Sequence, residues 1–420
     1  MKLPVFFEQI MGIREPWYIK EINVEGMEVN ITIDFKKGSK FKYQGELCAV
    51  HDTVERQWRH LNLFQYKAYI TARVPRIKTK DGVKTVEVPW ANPGSGFTML
   101  FEVFVLQMAM SMSISEVAKM MDETENRIWR IAKHYTDKEL DAQDFSKEPI
   151  RTLAMDEVAR RKGHVYITNF VDVDTRKVVF VAKGKSADTI KQFKKEYLRK
   201  GGKESDIKTL IMDMSPAFIK GAEKEFPKAR IVFDKFHVMK ILNEQLDNVR
   251  RREQKQFESF FKKTSNELNG VHFNELPRYF LRKYQKSEKN LNRKQKKKLA
   301  MLLEDESKDT VKAYNLIQSF RELFTYKRPS AAGRFLTSWI QLCKTSKIPE
   351  MIAAAETVLN HIEGILQHIR TQKTNALLEG LNSKLRVLTK RAFGFKCFDY
   401  LKTTIFMCLG KLDFSFEPSC

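Results

Sequence analysis

Three acidic residues stand where the chain needs a reason to keep a carboxylate. Asp156 interrupts the apolar run LAMDEVA (153–159), where an ionised group is costly unless a cation or hydrogen bonds compensate it. Its neighbour Glu157 falls on the opposite face by the two-residue period of a strand, so the two acids do not share one site through a regular strand. Asp213 ends the buried-strand pattern IKTLIMD (207–213). Its ordinary role would be to cap the next helix, but Ser215 followed by Pro216 is the better N-cap and first helical residue, which leaves Asp213 for another task. Glu379 lies in TNALLEGLNSKLRVLTK (374–390), an amphipathic helix with the apolar stripe Leu377, Leu381, Leu385, Leu388 and a polar face of Asn375, Glu379, Asn382 and Arg386. Gly380 in mid-helix costs about 1 kcal/mol relative to Ala and marks close approach to the backbone beside Glu379. Acids converging from separate elements suit phosphodiester cleavage, in which two divalent ions about 3.5–4 Å apart activate water and stabilise the leaving oxygen.

The elements that must position these acids are legible as changes of period. Residues 1–93 are strand-like and turn-rich, with alternating stretches EVNITID (28–34) and YITARV (69–74), and predict a small β-rich module. The Pro and Gly cluster PWANPGSG (89–96) reads as a linker into a helical region, 94–145. There Phe97–Met112, Ser113–Met121 and Glu125–Tyr135 are successive helices, and Ser113 with Glu116 has capping-box spacing. The pattern is a helix-turn-helix. Its third helix turns Ile128, Ile131, Ala132 and Tyr135 inward and Arg127, Arg130 and Lys133 outward, as a recognition helix presents donors to a groove; a plain helical bundle with a solvated basic face is the competing reading.

From 150 to 240 the strands LAMDEVA, HVYITNFVDV and KVVFVA form an antiparallel meander, and strand-helix units follow at 186–199, 207–213, 216–225 and 229–234. The predicted fold class is an α/β core, a ribonuclease-H-like mixed five-strand sheet ordered β, β, β, α, β, α, β. A large all-α insertion is expected over 241–356, with C-terminal helices carrying the Glu at 357–412. Residues 281–300 hold nine Lys or Arg against the single acid Glu288, so Lys296, Lys297 and Lys298 belong to a phosphate-tracking surface or, more plainly, to a solvated charge run.

Composition narrows the partner. The chain's 420 residues exceed what one hydrophobic core usually organises. Its 75 Lys and Arg against 52 Asp and Glu give a formal charge of +23, which favours a polyanion, nucleic acid by default, over the plainer readings of a cationic proteome or a membrane-surface protein. The most apolar segment, 97–112, is broken by Glu102 and Gln107, too short and too polar for a membrane span. The N-terminus lacks the pattern of a signal peptide. A cytoplasmic protein, associated with the nucleoid when on DNA, is expected. Five scattered cysteines without a CxxC pair argue against a disulfide framework.

The runs MDEVARRKGHVYIT, DMSPAFIKG, IVFDKFHVMKILNEQLDNVRR and NALLEGLNSKLRVLTKRAFGF, in that order, resemble the ISL-three family of bacterial insertion-sequence transposases, of the DDE class. HDTVERQWRHLNLFQYKAYITARVPR and VPWANPGSGFT resemble the family's N-terminal module, so the likeness covers nearly the whole chain. The resemblance implies Asp156, Asp213 and Glu379 as the catalytic triad, holding two Mg²⁺ or Mn²⁺ ions. It makes Asp234 and His237 (FDKFH) an auxiliary Asp-x-x-His pair, for which helix capping is the plain alternative. Arg386, Lys390 and Arg391 extend the basic surface beyond Glu379. The implied activity is cleavage of the element's ends and joining of the 3′ hydroxyls to target double-stranded DNA, by a homodimer or higher oligomer. A silent DNA-binding regulator or domesticated relative, and a structure-selective nuclease of the same fold, are the rival readings. One departure concerns zinc: where the family carries a cysteine-rich segment, KFKYQGELCAVHD keeps Cys48 and His51 alone, half a site at most, and no structural zinc is expected.

Overall fold

A computed structural model describes residues 3–80, 82–161, 165–264, 293, 308–371, 376–392 and 394–414. The chain divides into two compact units, Met1–Ala142 with Val387–Cys420, and Gln143–Arg386.

The first unit opens with helix α1 (Leu3–Met11) and strands β1 (Trp17–Glu25), β2 (Glu28–Phe35), β3 (Lys40–Tyr43), β4 (Glu46–Leu63), β5 (Tyr66–Thr79) and β6 (Gly82–Thr85). They form one sheet in the order β1-β2-β5-β4-β3, with β6 on β5. Alternation drives it. Val29, Ile31 and Ile33 of β2 and Ala68, Ile70, Ala72 and Val74 of β5 are buried at every second position, and β2 and β5 pair in parallel. Trp90 closes this core, edge-on to Trp17 at 5.0 Å and to Trp58 at 5.7 Å.

Helices α2 (Met99–Ser111), α3 (Ile114–Met121) and α4 (Glu125–Ala142) follow. The capping box at the start of α3 is complete: Ser113 Oγ accepts from the Glu116 N–H, and the Glu116 carboxylate accepts from the Ser113 N–H at 2.9 Å. Asp122 ends α3 in the left-handed region. Ile128, Ile131 and Ala132 of α4 are buried. Glu102, the acid inside the most apolar segment, is also buried, and three donors explain it: Asn92 Nδ2 at 2.7 Å, Ser95 Oγ at 2.6 Å and Tyr135 Oη at 2.9 Å. The polar residues of the Pro and Gly linker therefore have a structural duty, which is to neutralise the cost of that carboxylate.

In the second unit β7 (Thr152–Arg161), β8 (Val165–Asp172) and β9 (Lys177–Lys183) are an antiparallel meander. Helix α5 (Asp188–Arg199), strand β10 (Thr209–Met212), helix α6 (Pro216–Glu225) and strand β11 (Arg230–Phe233) complete a mixed sheet in the order β11-β10-β7-β8-β9. Both crossover strands lie parallel to their neighbours, as helical crossovers require. The helices α7 (Lys235–Thr264), α8 (Asp309–Arg321), α9 (Pro329–Thr345), α10 (Pro349–Asn360) and α11 (Ile362–Thr371) come next. Helix α12 (Ala376–Arg391) contains the boundary between the units, and α13 (Phe398–Leu409) belongs to the first. There Tyr400 stacks on Trp129 of α4 at 4.2 Å, so Trp129 is core. No described helix is long and apolar enough to cross a membrane.

One face of the five-stranded sheet carries Met155, Phe170, Met212 and Phe233 into a core with Phe193, Tyr197 and Phe218. Phe233 is held against Gly364 of α11 so closely that a Cβ there would overlap its ring. Gly364→Ala should therefore destabilise the protein by about 1–3 kcal/mol through overpacking. Thermal and urea unfolding check this; an unchanged midpoint would show that the ring can give way.

Candidate active site and nucleic-acid interface

The strand registers place the site. Ile211 of β10 is level with Ala154 of β7, and Met212 is level with Phe233 of β11. Continued by one or two residues, the same registers put Asp156, Asp213 and Asp234 in one row across three adjacent strands, roughly 4.8 Å from one to the next. The Asp234 N–H donates to the Met212 carbonyl at 3.1 Å, which carries the parallel pairing to that level. Since Met155, Met212 and Phe233 point into the core, the acids that follow them point to the other face. The row lies just past the carboxyl ends of β10 and β11, where open α/β sheets bind their ligands, and level with the middle of β7.

Asp156 is partly buried. Its Oδ1 accepts from the Glu157 N–H at 2.8 Å and its Oδ2 accepts from Asn382 Nδ2 of α12 at 2.5 Å. Burial raises its carboxyl above the ordinary range, Asp213 adds to the rise, and His237 with the two hydrogen bonds opposes it. Asp213 Oδ1 accepts from the Ser215 N–H at 3.0 Å. Ser215 occupies the N-cap position of α6 with Pro216 next, but its side chain makes no cap bond. The assignment of the cap was right in place and wrong in mechanism: the short loop turns on Asp213. Glu157 lies outside the row by its strand period, yet its carboxyl is raised by burial first and then by Asp213, with Lys185 opposing. A carboxylate just past the end of β10 is within electrostatic reach of both faces of β7.

Asp234 is buried and does two things at once. One oxygen accepts from the Phe236 N–H at 3.2 Å at the start of α7, and the other meets His237 Nδ1 at 3.0 Å. Capping and pairing with His237 are therefore not alternatives. The His237 imidazole is raised above its ordinary 6.5, chiefly by the bond to Asp234 and further by Asp156 and Asp213, against burial. Glu379 lies in the first turn of α12, one short step along the helix from Asn382; its side chain is outside the described residues. Lys296, Lys297 and Lys298 are outside them as well.

Two amides escaped the sequence reading. Asn382 was visible on the polar face of its helix, but nothing local ties it to a strand 226 residues away. Asn169 of β8 is the cross-strand partner of Asp156, so both side chains stand on one face. It is 5% exposed, and its Oδ1 has no hydrogen-bond partner among the described residues. Among the described residues no group of three or more His, Cys, Asp or Glu side chains is gathered to hold a metal ion. Cys48 of β4 is a free thiol.

A transposase model of the DDE class, ISL3 group, matches residues 153–405, more than half of the chain. The chain belongs to the ISL3 transposase family. A second model, the helix-turn-helix domain of transposase family ISL3, matches residues 86–136 of the transposase, which span α2, α3 and the first part of α4. Among curated relatives, the transposase for insertion sequence element IS1001 of Bordetella parapertussis is 27% identical over 356 residues, 84% of each chain. The transposase for IS1557 of Mycobacterium tuberculosis is 27% identical over 366 residues, 81% of this chain and 78% of the relative. The resemblance to the family, the helix-turn-helix and the link to insertion sequences thus stand.

The basic residues selected for DNA divide by what already holds them. Arg127 of the transposase donates to Glu123 at 2.6 Å and lies over the Phe97 ring at 4.1 Å. Lys133 pairs with Asp137 at 2.5 Å on the surface of α4. Arg130 is exposed, with no ion pair among the described residues. Arg386 and Lys390 are exposed, whereas Arg391 donates to the Met110 carbonyl at 3.4 Å near the carboxyl end of α2, a favoured place for a cation.

The His237 pair makes a pH prediction. A folded value above 6.5 means that the native state binds the proton more tightly, so the stabilisation is complete below about pH 6.5 and is lost as pH rises through the folded value. Asp234→Asn should bring the His237 titration, followed by the ring Hε1 resonance, down towards 6.5. An unmoved titration would show that Asp156 and Asp213, not Asp234, hold the proton.

Proposed function

We propose that this transposase binds the terminal inverted repeats of its insertion sequence, cleaves the DNA ends by metal-assisted phosphodiester hydrolysis and joins the freed 3′ hydroxyls to target DNA. The observation that carries the reading is that Asp213, just past the carboxyl end of β10, is level with Asp156 in the middle of the parallel β7, with α12 fastened to Asp156 through Asn382. The mixed five-stranded sheet, with three antiparallel strands first and two parallel additions through helices, supports a ribonuclease-H-like core. In this reading the helices between β11 and α12 are its insertion.

The donor chemistry suits hard divalent cations. Asp156 and Asp213 offer carboxylate oxygens, and the buried Asn169 Oδ1 lacks a donor, which fits Mg²⁺ or Mn²⁺ better than a soft metal. Asp156, Asp213 and Glu379 would hold two such ions. When bound, these ions would supply an activated water and stabilisation of the leaving oxygen. Asn382 and the Glu157 N–H orient the Asp156 carboxylate, so that little reorganisation is left for the reaction itself. Asp234 fixes the orientation of His237, which places a second polar group at the edge of the row. Exposed Arg and Lys side chains would neutralise phosphates along the duplex, and a dimer or higher oligomer would hold the two ends together.

Replacing Asp156, Asp213 or Glu379 with Ala should abolish cleavage and joining on duplexes carrying the element's ends while leaving their binding, read by fluorescence anisotropy, within about threefold. Strand transfer by any of the three variants would sink the assignment. Recognition is tested separately. Arg130→Ala should reduce the preference for terminal-repeat over random duplex, since a free Arg fork on guanine is worth roughly 1–3 kcal/mol of discrimination. Arg127→Ala should lower the melting temperature too, because its guanidinium is part of the packing on Phe97. Preference unchanged in Arg130→Ala would move end recognition to the β-rich module.

A further inference from the structure

Asn169 stands beside the row of acids with an acceptor that no described residue satisfies. A buried amide oxygen left without a donor costs roughly 1–3 kcal/mol, and most such groups in folded proteins find a partner. On the face of the sheet that Asn169 shares, Ile167 and Val171 of β8 and Val181 of β9 are apolar and buried. An apolar side chain at 169 would suit that environment without any unpaired atom. Across the strand pair its neighbour is Asp156, whose two oxygens are also acceptors. Two acceptors side by side in a poorly solvated place repel one another unless a donor or a cation lies between them. Asn382 Nδ2 donates to Asp156 and not to Asn169.

We propose that Asn169 is a cation-site residue of this chain, its Oδ1 taking either the divalent ion held by Asp156 or a water bound to that ion. The inference rests on the proposed carboxylate chemistry and extends it to a neutral oxygen on β8. Asparagine carbonyls are regular oxygen ligands for hard cations, and Mg²⁺ in particular keeps waters that need acceptors. Residues that support a metal's ligands typically cost ten- to a hundredfold in metal affinity when lost. The orphaned oxygen is then a local rule broken for function rather than a packing fault.

Mn²⁺ binding to the full-length chain, measured by calorimetry with no DNA substrate present, tests this without relying on turnover. Asn169→Leu and Asn169→Ser should each weaken Mn²⁺ binding at least tenfold, while Asn169→Asp keeps it within about threefold. Asn169→Leu should melt at the wild-type temperature or above, since it removes an unpaired buried oxygen; a residue with a purely structural duty would melt lower. Mn²⁺ affinity unchanged in Asn169→Ser overturns the inference, and that variant decides if the leucine variant does not fold. Failure of all three variants to fold overturns it as well, by making Asn169 structural. Asp156→Ala separates the two levels of argument. Binding lost there but intact in Asn169→Ser removes Asn169 alone, whereas binding that survives Asp156→Ala overturns the carboxylate reading itself.

Discussion

The parallel register among β7, β10 and β11 is the constraint on which the rest of the site depends. It is set on the opposite face of the sheet, where Met155, Met212 and Phe233 interlock with the core. Because side chains alternate, a slip of one residue in either strand pair would turn one aspartate into the core and one core residue into the site. Hydrophobic packing therefore performs the alignment that the carboxylates, which repel one another, could not perform for themselves. Gly364 shows how tightly the arrangement is drawn, since it lets α11 approach the residue immediately before Asp234.

The acids are kept at a cost that is met locally and only in part. Asp156 receives a backbone N–H and the Asn382 amide, Asp213 receives the Ser215 N–H, and Asp234 receives the Phe236 N–H and His237. The backbone and amide donors are neutral, so the negative charge is spread but not cancelled. Asp156 and Glu157 accordingly sit above the ordinary carboxyl range. Glu102 in the first unit shows the contrast: there three donors surround a buried acid completely, and its function is to pin the linker to α2 and α4. Acids that pack for stability are saturated with donors, and acids left short of them have room for a cation.

Asp156 and Asp213 were legible because a charge inside an apolar strand pattern is conspicuous, and the order of strands and helices was legible because period two gives way to period 3.6. Most boundaries of the second unit's strands and helices moved by no more than two or three residues, whereas the third helix of the first unit runs on well past Tyr135, to Ala142. Of the long β4–β5 pair only the stretch 69–74 of β5 was legible, since its exposed end alternates charged and apolar residues too loosely to mark strands of that length. Asn169 and Asn382 were hidden for a different reason. Each takes its meaning from a partner on another element, and a pairing register or a contact 226 residues away leaves no trace in local spacing. The Asp234 pair fell between these cases, with its spacing visible and its double bonding not.

Surface charge was the easiest property to read and the least informative about individual residues. An Arg that reads bases needs its planar fork free and aimed, whereas a phosphate contact asks only for positive charge near the backbone. Arg127 has spent its fork on Glu123 and the Phe97 face, and Arg391 has spent its own on the end of α2. Both still contribute to the field of a chain carrying +23. Among the basic residues of α4 chosen by their outward spacing, Arg130 keeps the freedom that base reading requires, and Lys133 is held by a surface pair that a phosphate could displace at little cost. The helical period set all three on one side of α4; it is the neighbours, Glu123, Phe97 and Asp137, that divide them into one without an ion pair among the described residues, one held in a surface pair, and one built into the fold.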